Sequence, residues 1–284
     1  MPNTELSHRD RRAGRFALIV AIPTAFVSIA PLAWALISSL RPSSQIFEYL
    51  SPFTWQTIIP TDISLNNYTA VLDGQFLQSL VNSVVVAFFS VLLGLIVSSL
   101  AAFALAVLDF PGRGVLFSVM VVSFLVPFEA IAIPLSATFR DWNLQNTLIG
   151  LILPSIGNGL AIFLLRQFFM NVPYSLSEAA RMDGLSWFGI YRSIYLPLSK
   201  ASLVGAGLIL FVFQWQSFLW PLLIAPAPSS QVAPIAIGNF AQESGVDYGQ
   251  MFAAAILTTL VPLVLLLVFQ RQFTNSLAST GGKE

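Results

Sequence analysis

Residues 175–200 read SLSEAARMDGLSWFGIYRSIYLPLSK, an interval carrying Glu178, Arg181, Asp183, Arg192 and Lys200 in a chain that is otherwise overwhelmingly apolar. Pro173 stops the block before it, and Ser175 followed by Glu178 has the capping-box spacing that opens a helix. Glu178, Ala179, Ala180, Arg181, Met182 and Asp183 are adequate helix formers, and Gly184 suits the left-handed residue that closes one. The spacing predicts a helix of about two turns, too short to persist alone in water, so something must hold it. Beyond Gly184, the residues Trp187, Phe188, Tyr191, Ile194, Tyr195 and Leu198 recur at intervals of three and four. Ser186, Arg192 and Ser193 fall on other faces, which predicts an amphipathic helix lying along the inner membrane surface and ended by Pro197. A loop that merely skims the membrane explains the aromatic stripe but not the Glu-Ala-Ala turn.

Outward from this interval the composition is that of a bilayer protein. Of 284 residues, 56% are hydrophobic and 9% charged, with a mean hydropathy of +0.79, whereas soluble domains carry about a quarter charged residues. Thirteen basic and thirteen acidic residues cancel, which argues against a nucleic-acid-binding surface. Six blocks are long and apolar enough to span about 30 Å of hydrocarbon: Phe16–Leu40, Ser79–Leu108, Val115–Phe139, Trp142–Leu165, Ala201–Ile224 and Tyr248–Gln270. Only Glu129 interrupts them with a charge. With a cytoplasmic N-terminus, eleven Lys and Arg residues lie inside against Arg41 and Arg140 outside, so both termini are expected in the cytoplasm. Arg11 and Arg12 precede the first block as they would in a signal, but its 25 residues exceed a signal's apolar region and predict an uncleaved anchor.

Between the blocks, 41–78 contains Pro42, Pro52, Pro60, Asn66 and Asn67, a density of breakers that predicts an irregular lobe. Asp109–Arg113 and Arg140-Asp141 make short turns. The segment 225–249 contains Pro226, Pro228 and Pro234, and its apolar piece Val232–Ala241 is too short to span, so it should lie at the interface or dip back in. No internal repeat points to an inverted-repeat transporter.

The chemistry available is sparse. No cysteine is present, His8 is the only histidine, and no Gly-x4-Gly-Lys-Ser/Thr occurs, so neither a metal cluster, a catalytic triad nor a P-loop is expected. Glu129 lies inside the third block, where an ionised acid costs about 2.5–3.5 kcal/mol and should face a bundle interior or a wet cavity. It either lies on a solute pathway or is a structural acid near the outer rim or against a partner. Gln214, Gln216, Asn82 and Asn158 are the other notable polar groups in the blocks. Asn82 and Asn158 fit interhelical hydrogen bonding, worth about 0.6–2 kcal/mol. Gln214 and Gln216 lie about 200° apart on a helix, so at most one faces a pathway. Trp215 and Trp220 could stack on a sugar ring or sit in an interfacial belt.

Glu178-Ala179-Ala180, then Gly184, then Ile194-Tyr195-Leu196-Pro197 resembles the EAA loop of permease subunits of binding-protein-dependent ABC importers. The resemblance extends from about Asn67 to Gln270 and is nearest the carbohydrate-uptake permeases of the maltose-system, MalG-like type. It includes Asn66-Asn67-Tyr68, Leu80-Val81-Asn82-Ser83, Phe110-Pro111-Gly112-Arg113, Ile149-Gly150-Leu151-Ile152-Leu153-Pro154 and Phe218-Leu219-Trp220-Pro221-Leu222. Trp215-Gln216-Ser217 departs from the Trp-Asn-Glu or Trp-Asn-Asp of many relatives, and the tail Asn275–Glu284 departs from the usual Gly-, Ala- and Leu-rich end.

The resemblance implies an all-α, multi-pass protein of a bacterial cell membrane, with six transmembrane helices and a cytoplasmic coupling helix. On that reading 1–15 is a basic tail, 16–40 the first transmembrane helix and 41–78 an external segment. The core permease domain is 79–272, with its coupling loop at 171–200, and 273–284 is a cytoplasmic tail. The implied partners are a second permease, a dimer of ATP-binding subunits that hold ATP and Mg, and an extracytoplasmic solute-binding protein. Glu178, Ala179, Ala180, Asp183, Gly184, Ile194, Leu196 and Pro197 would couple to the ATPase, and Glu129, Gln214, Gln216 and Trp215 would line the path of a sugar or sugar derivative. The alternatives are an ion-coupled secondary transporter, which leaves the EAA spacing unexplained, and an intramembrane enzyme, for which convergent catalytic groups are wanting.

Overall fold

The computed structural model describes residues 8–50, 52–242 and 245–281, with no side-chain description at 8–18, 242 and 271–281. The basic tail and the end of the C-terminal tail therefore lie wholly or partly outside the described residues. In chain order the helices are α1 (His8–Ser39), α2 (Asn66–Asp73), α3 (Phe76–Val107), α4 (Arg113–Leu125), α5 (Phe128–Asp141), α6 (Leu148–Ile152) and α7 (Gly159–Met170). They continue with α8 (Tyr174–Met182), α9 (Trp187–Ile190), α10 (Leu196–Leu198), α11 (Lys200–Trp215), α12 (Leu219–Ile224), α13 (Ala233–Ala236) and α14 (Tyr248–Gly281). The only strands among the described residues are β1 (Ala241–Gln242) and β2 (Gly245–Val246), an antiparallel ladder with Ala241 opposite Val246.

Three helical stretches are long and apolar enough to cross a membrane unaided: Ile19–Ser39, Phe76–Val107 and Tyr248–Gln270. The other three expected spans are broken. The third bends by 95° between α4 and α5. Val126 precedes Pro127 and takes the extended conformation that a following proline enforces, with φ −72° and ψ 121°. The fourth bends by 44° between 148–155 and α7. Pro154 lies in the 3₁₀ turn there, and the Asn158 side chain restarts the helix by accepting from Ala161 N at 3.0 Å. Trp142 is not helical, because Asn143 and Asn146 adopt φ of 57° and 56° and turn the chain before Thr147 caps α6. The fifth ends at Trp215, and α12 restarts with Pro221 in its first turn, where a missing N–H is tolerated.

The chain divides into two compact units, 1–74 with 240–257, and 75–239 with 258–284. In the first, the irregular 41–65 segment contains three 3₁₀ turns. Arg41 is 2% exposed and donates through Nη2 to the Gln56 and Thr57 carbonyls. Asn67 Nδ2 donates to the Ser39 and Arg41 carbonyls at 2.9 and 2.7 Å, while Ser43 Oγ donates to Asp247 at 2.6 Å. Gly249 is required beside them, since a Cβ there would stand 2.5 Å from Ser43 Oγ and 2.7 Å from the Asn67 amide.

The second unit is assembled on α3, whose buried and exposed faces invert the soluble pattern. Ser79, Asn82, Ser83, Val86, Ala87, Ser90, Gly94, Ser98 and Ala102 recur at three- and four-residue intervals and are buried. Val81, Val84, Phe88, Leu92, Ile96 and Leu100 face outward. Small residues let helix backbones approach closely, and van der Waals packing then replaces the hydrophobic drive that lipid does not supply. Both α7 and α11 pack on α3, and a Cβ added at Gly94 or Gly207 would stand 3.2 Å from a leucine methyl of the facing helix.

Candidate functional site

Glu178 lies on α8, and α8 begins earlier than the capping-box spacing predicts. Pro173 is the N-cap residue, still extended with a ψ of 123°, and the helix begins at the next residue, Tyr174. Ser175 consequently falls inside the first turn, and no side chain caps α8. The C-terminus follows the sequence closely. Gly184 has φ +84°, Leu185 N donates to Ala180 O at 3.0 Å, and Gly184 N donates to Arg181 O at 3.1 Å. These two bonds form a Schellman motif, completed by the apolar cluster that Ala180 shares with Leu185. Arg181 braces the turn, donating to Leu185 O at 3.2 Å with its guanidinium 5.0 Å from the Trp187 ring centroid.

Only Ser177 and Ala180 of α8 face inward. Glu178, Ala179, Asp183 and Gly184 are exposed, as are the large apolar side chains of Tyr174, Leu176 and Met182, the last at 88%. A nine-residue helix held along one side with apolar side chains projecting from the other has the character of a docking surface.

The aromatic stripe after Gly184 is in large part buried within the protein. Ile190, Tyr191 and Tyr195 are buried, and they belong to the cluster of Phe103, Leu105, Leu165 and Phe169. Phe103 and Phe169 meet the Tyr195 ring edge-on at 5.0 and 5.5 Å. The residues that do face outward are Phe188 and Leu198. Spacing alone identified a common face but could not say that α3 and α7, rather than lipid, would cover it. Nor does Pro197 end the helix. Tyr191–Tyr195 form a π turn, with Leu196 N donating to Tyr191 O, and the widened turn accommodates the missing N–H of Pro197. Helix runs on to Leu198, then turns by 83° into α11. Ile194 and Leu196 are half-buried, and Pro197 is exposed.

The pathway residues do not converge on one point. Glu129 is exposed in the first turn of α5, immediately after the break at Pro127, where the positive end of the helix dipole favours a carboxylate. It therefore stands at a helix start inside a broken span, not in the middle of a continuous helix. Gln214 and Trp215 line a small pocket with Ser83, Ser217, Pro221 and Val232 at the α11–α12 break. Trp215 is stacked on Phe211 at 5.3 Å, and Gln216 is exposed at the end of α11. Trp220 is a core residue, donating through Nε1 to Gly150 O at 3.0 Å between the rings of Phe128 and Phe139. Asn82 does not bridge two helices: it ties the loop between α12 and α13 to α3, donating to the Ser229 and Gln231 carbonyls at 3.1 and 2.9 Å. Asn158 is instead a helix cap.

Two hydroxyl pairs went unseen in the sequence: Ser177 Oγ with Tyr195 OH at 2.9 Å, and Ser99 Oγ with Tyr191 OH at 2.7 Å. The four-residue interval between the tyrosines was the one available signal. Their serine partners are 18 and 92 residues away.

Residues 90–278 match the family model described as binding-protein-dependent transport system inner membrane component. The chain is 32% identical over 262 residues to the arabinooligosaccharides transport system permease protein AraQ of Halalkalibacterium halodurans, covering 91% of this chain and 92% of that protein. It is 30% identical over 274 residues to the trehalose transport system permease protein SugB of Mycobacterium tuberculosis, covering 95% and 97%. It is 33% identical over 274 residues to the sn-glycerol-3-phosphate transport system permease protein UgpE of Yersinia pestis, covering 93% and 96%. In fold it resembles a chain of a bacterial ABC transporter involved in the import of the acidic polysaccharide alginate. The TM-score is 0.81 at 22% identity, covering 95% of this chain and 99% of that one.

Proposed function

The chain belongs to the family of binding-protein-dependent transport system inner membrane components, and from that premise we propose which solute it admits and how its transport is driven. It is a multi-pass membrane permease subunit of an ABC importer, a transport component and not an enzyme. Its cargo is a sugar or sugar derivative delivered by an extracytoplasmic binding protein. Support for this class comes from relatives named for arabinooligosaccharides, trehalose and glycerol-3-phosphate.

The translocation path is shared with a second permease, and the work is done by a pair of ATP-hydrolysing subunits that carry ATP and Mg. Thousandfold accumulation of an uncharged solute requires about 4 kcal/mol. Nothing in this chain binds phosphate by a P-loop, so the energy enters from outside it. The observation that carries the reading is the geometry of α8, tethered inward by Ser177 and Ala180 and presenting Glu178, Ala179 and Met182 to a partner. Glu178, Ala179, Ala180, Asp183 and Gly184 form the coupling element together with Ile194, Leu196 and Pro197, and Ala180 shares an apolar cluster with Ile194 and Leu196. This element and both termini face the cytoplasm. Glu129 and the Gln214–Trp215 pocket lie along the solute path, with Gln216 at its margin.

The test is reconstitution of this chain with its sister permease, ATPase and binding protein, measuring binding-protein-stimulated ATP hydrolysis against a panel of sugars and polyol phosphates. Stimulation by one carbohydrate class is expected, with Glu178→Arg abolishing coupled uptake while leaving membrane insertion intact. Full uptake by the isolated chain, or unchanged coupling in Glu178→Arg, would refute the reading.

A further inference from the structure

The buried contact between α8 and the helix that follows it consists of apolar packing and one polar link. Ser177 and Tyr195 are each 1% exposed, and their hydroxyls meet at 2.9 Å. The neighbours of Tyr195 are apolar, Phe103 on α3 and Phe169 on α7. An alanine–phenylalanine pair would fill much the same space without desolvating two hydroxyls. Replacing both partners of a buried hydrogen bond by apolar groups is often nearly neutral for stability, so stability does not account for this pair. Direction does. A dispersion contact permits α8 to slide and roll, whereas a hydrogen bond fixes one register and one angle.

We propose that Tyr195 is a positioning residue whose hydroxyl, bonded to Ser177, locks α8 to the 187–198 helix so that displacement of α8 is delivered to α3 and α7 instead of being absorbed locally. The inference rests on the reading of α8 as the coupling helix. Both flanks of α8 are non-helical joints, an extended Pro173 on one side and a left-handed Gly184 on the other. A load on the exposed face could therefore rotate α8 about these joints if nothing held it laterally. Tyr191 and Tyr195, four residues apart at the two ends of the π turn, are both buried on the inward side. One hydroxyl reaches back to Ser177 on α8, and the other reaches Ser99 on α3 at 2.7 Å. The segment is thereby bolted to the moving helix at one point and to the core helix at the other.

The experiment uses the whole reconstituted complex in proteoliposomes with the sugar that stimulates hydrolysis most. It compares Ser177→Ala, Tyr195→Phe and the double variant by solute imported per ATP hydrolysed and by melting temperature. Both single variants should lower import per ATP on the order of fivefold, the equivalent of about 1 kcal/mol, while hydrolysis continues. The double variant should regain a melting temperature close to that of the unmodified protein yet remain uncoupled. A purely structural pair predicts the reverse, with coupling returning as stability returns, and that result overturns the proposal. Glu178→Arg separates the two readings. If it uncouples while the hydroxyl variants do not, this inference alone fails; if neither uncouples, the coupling role of α8 fails with it.

Discussion

Replacing Gly184 by alanine isolates a single physical term. Its φ of +84° is in the left-handed region, and a Cβ built there meets no atom within 4 Å. Steric collision is therefore absent, and the whole cost is that of forcing a side-chain-bearing residue into that conformation, about 1–2 kcal/mol. The conformation is what allows Leu185 N and Gly184 N to reach the Ala180 and Arg181 carbonyls, so the strain falls on the two bonds that close α8. A nine-residue helix has little stability of its own, and 1–2 kcal/mol shifts an equilibrium about 5–30-fold. Import per ATP in the reconstituted complex should fall within that range, with complex assembly preserved. Gly184→Asn should be milder than Gly184→Ala, because asparagine enters the left-handed region more readily. Gly205→Ala is the matched control. It also meets nothing within 4 Å, but it lies within α11 at an ordinary φ, so it should be neutral or stabilising by up to about 1 kcal/mol. Equal coupling in Gly184→Ala and Gly205→Ala, or a worse outcome for asparagine than for alanine, would refute the argument.

Gly150→Ala should behave oppositely, through collision: its Cβ would run into the Leu144 carbonyl oxygen and press on Ile224 and Thr147 at 3.3 Å. A loss of about 1–3 kcal/mol is expected, read as a lower melting temperature in detergent, and an unchanged melt would show that this turn can yield. Asn82→Ala removes the donor to the Ser229 and Gln231 carbonyls and should cost about 1–3 kcal/mol, with faster amide exchange across 226–239. Unaltered exchange there would mean that other bonds hold the segment. Glu129→Gln should change uptake but not recovery of the assembled complex; loss of assembly would mark the acid as structural.

The weak motifs of the sequence turn out to be joints. Asn67 ties the end of α1 to the turn after it, Ser83 Oγ accepts from Ala233 N at 2.7 Å, and Gly150 offers its carbonyl to Trp220. Gly112 takes φ 83° to start α4, while Arg113 donates to Leu108 O at 2.9 Å. Each is legible as a turn or polar residue in an apolar chain, but none announces its partner. Glu129 shows the limit from the other side. A hydropathy window reads Val115–Phe139 as continuous, and only the geometry around Pro127 places the acid at a helix start.

By itself the sequence determined the membrane class, the helical architecture and the C-terminal stop of α8, because these depend on composition, length and local backbone preference. Gly184 could be assigned to the left-handed region without any tertiary information. Which surface covers a helix face depends on residues distant in the chain, and there the sequence was silent or misleading. Tyr191 and Tyr195 have the spacing of a membrane-facing stripe, yet they are buried against Phe103 and Phe169 and bonded to Ser99 and Ser177. Lipid and a neighbouring helix are equally apolar, so hydrophobic periodicity cannot tell them apart. Only the placement of small residues along α3, and the close helix packing they permit, decides between them.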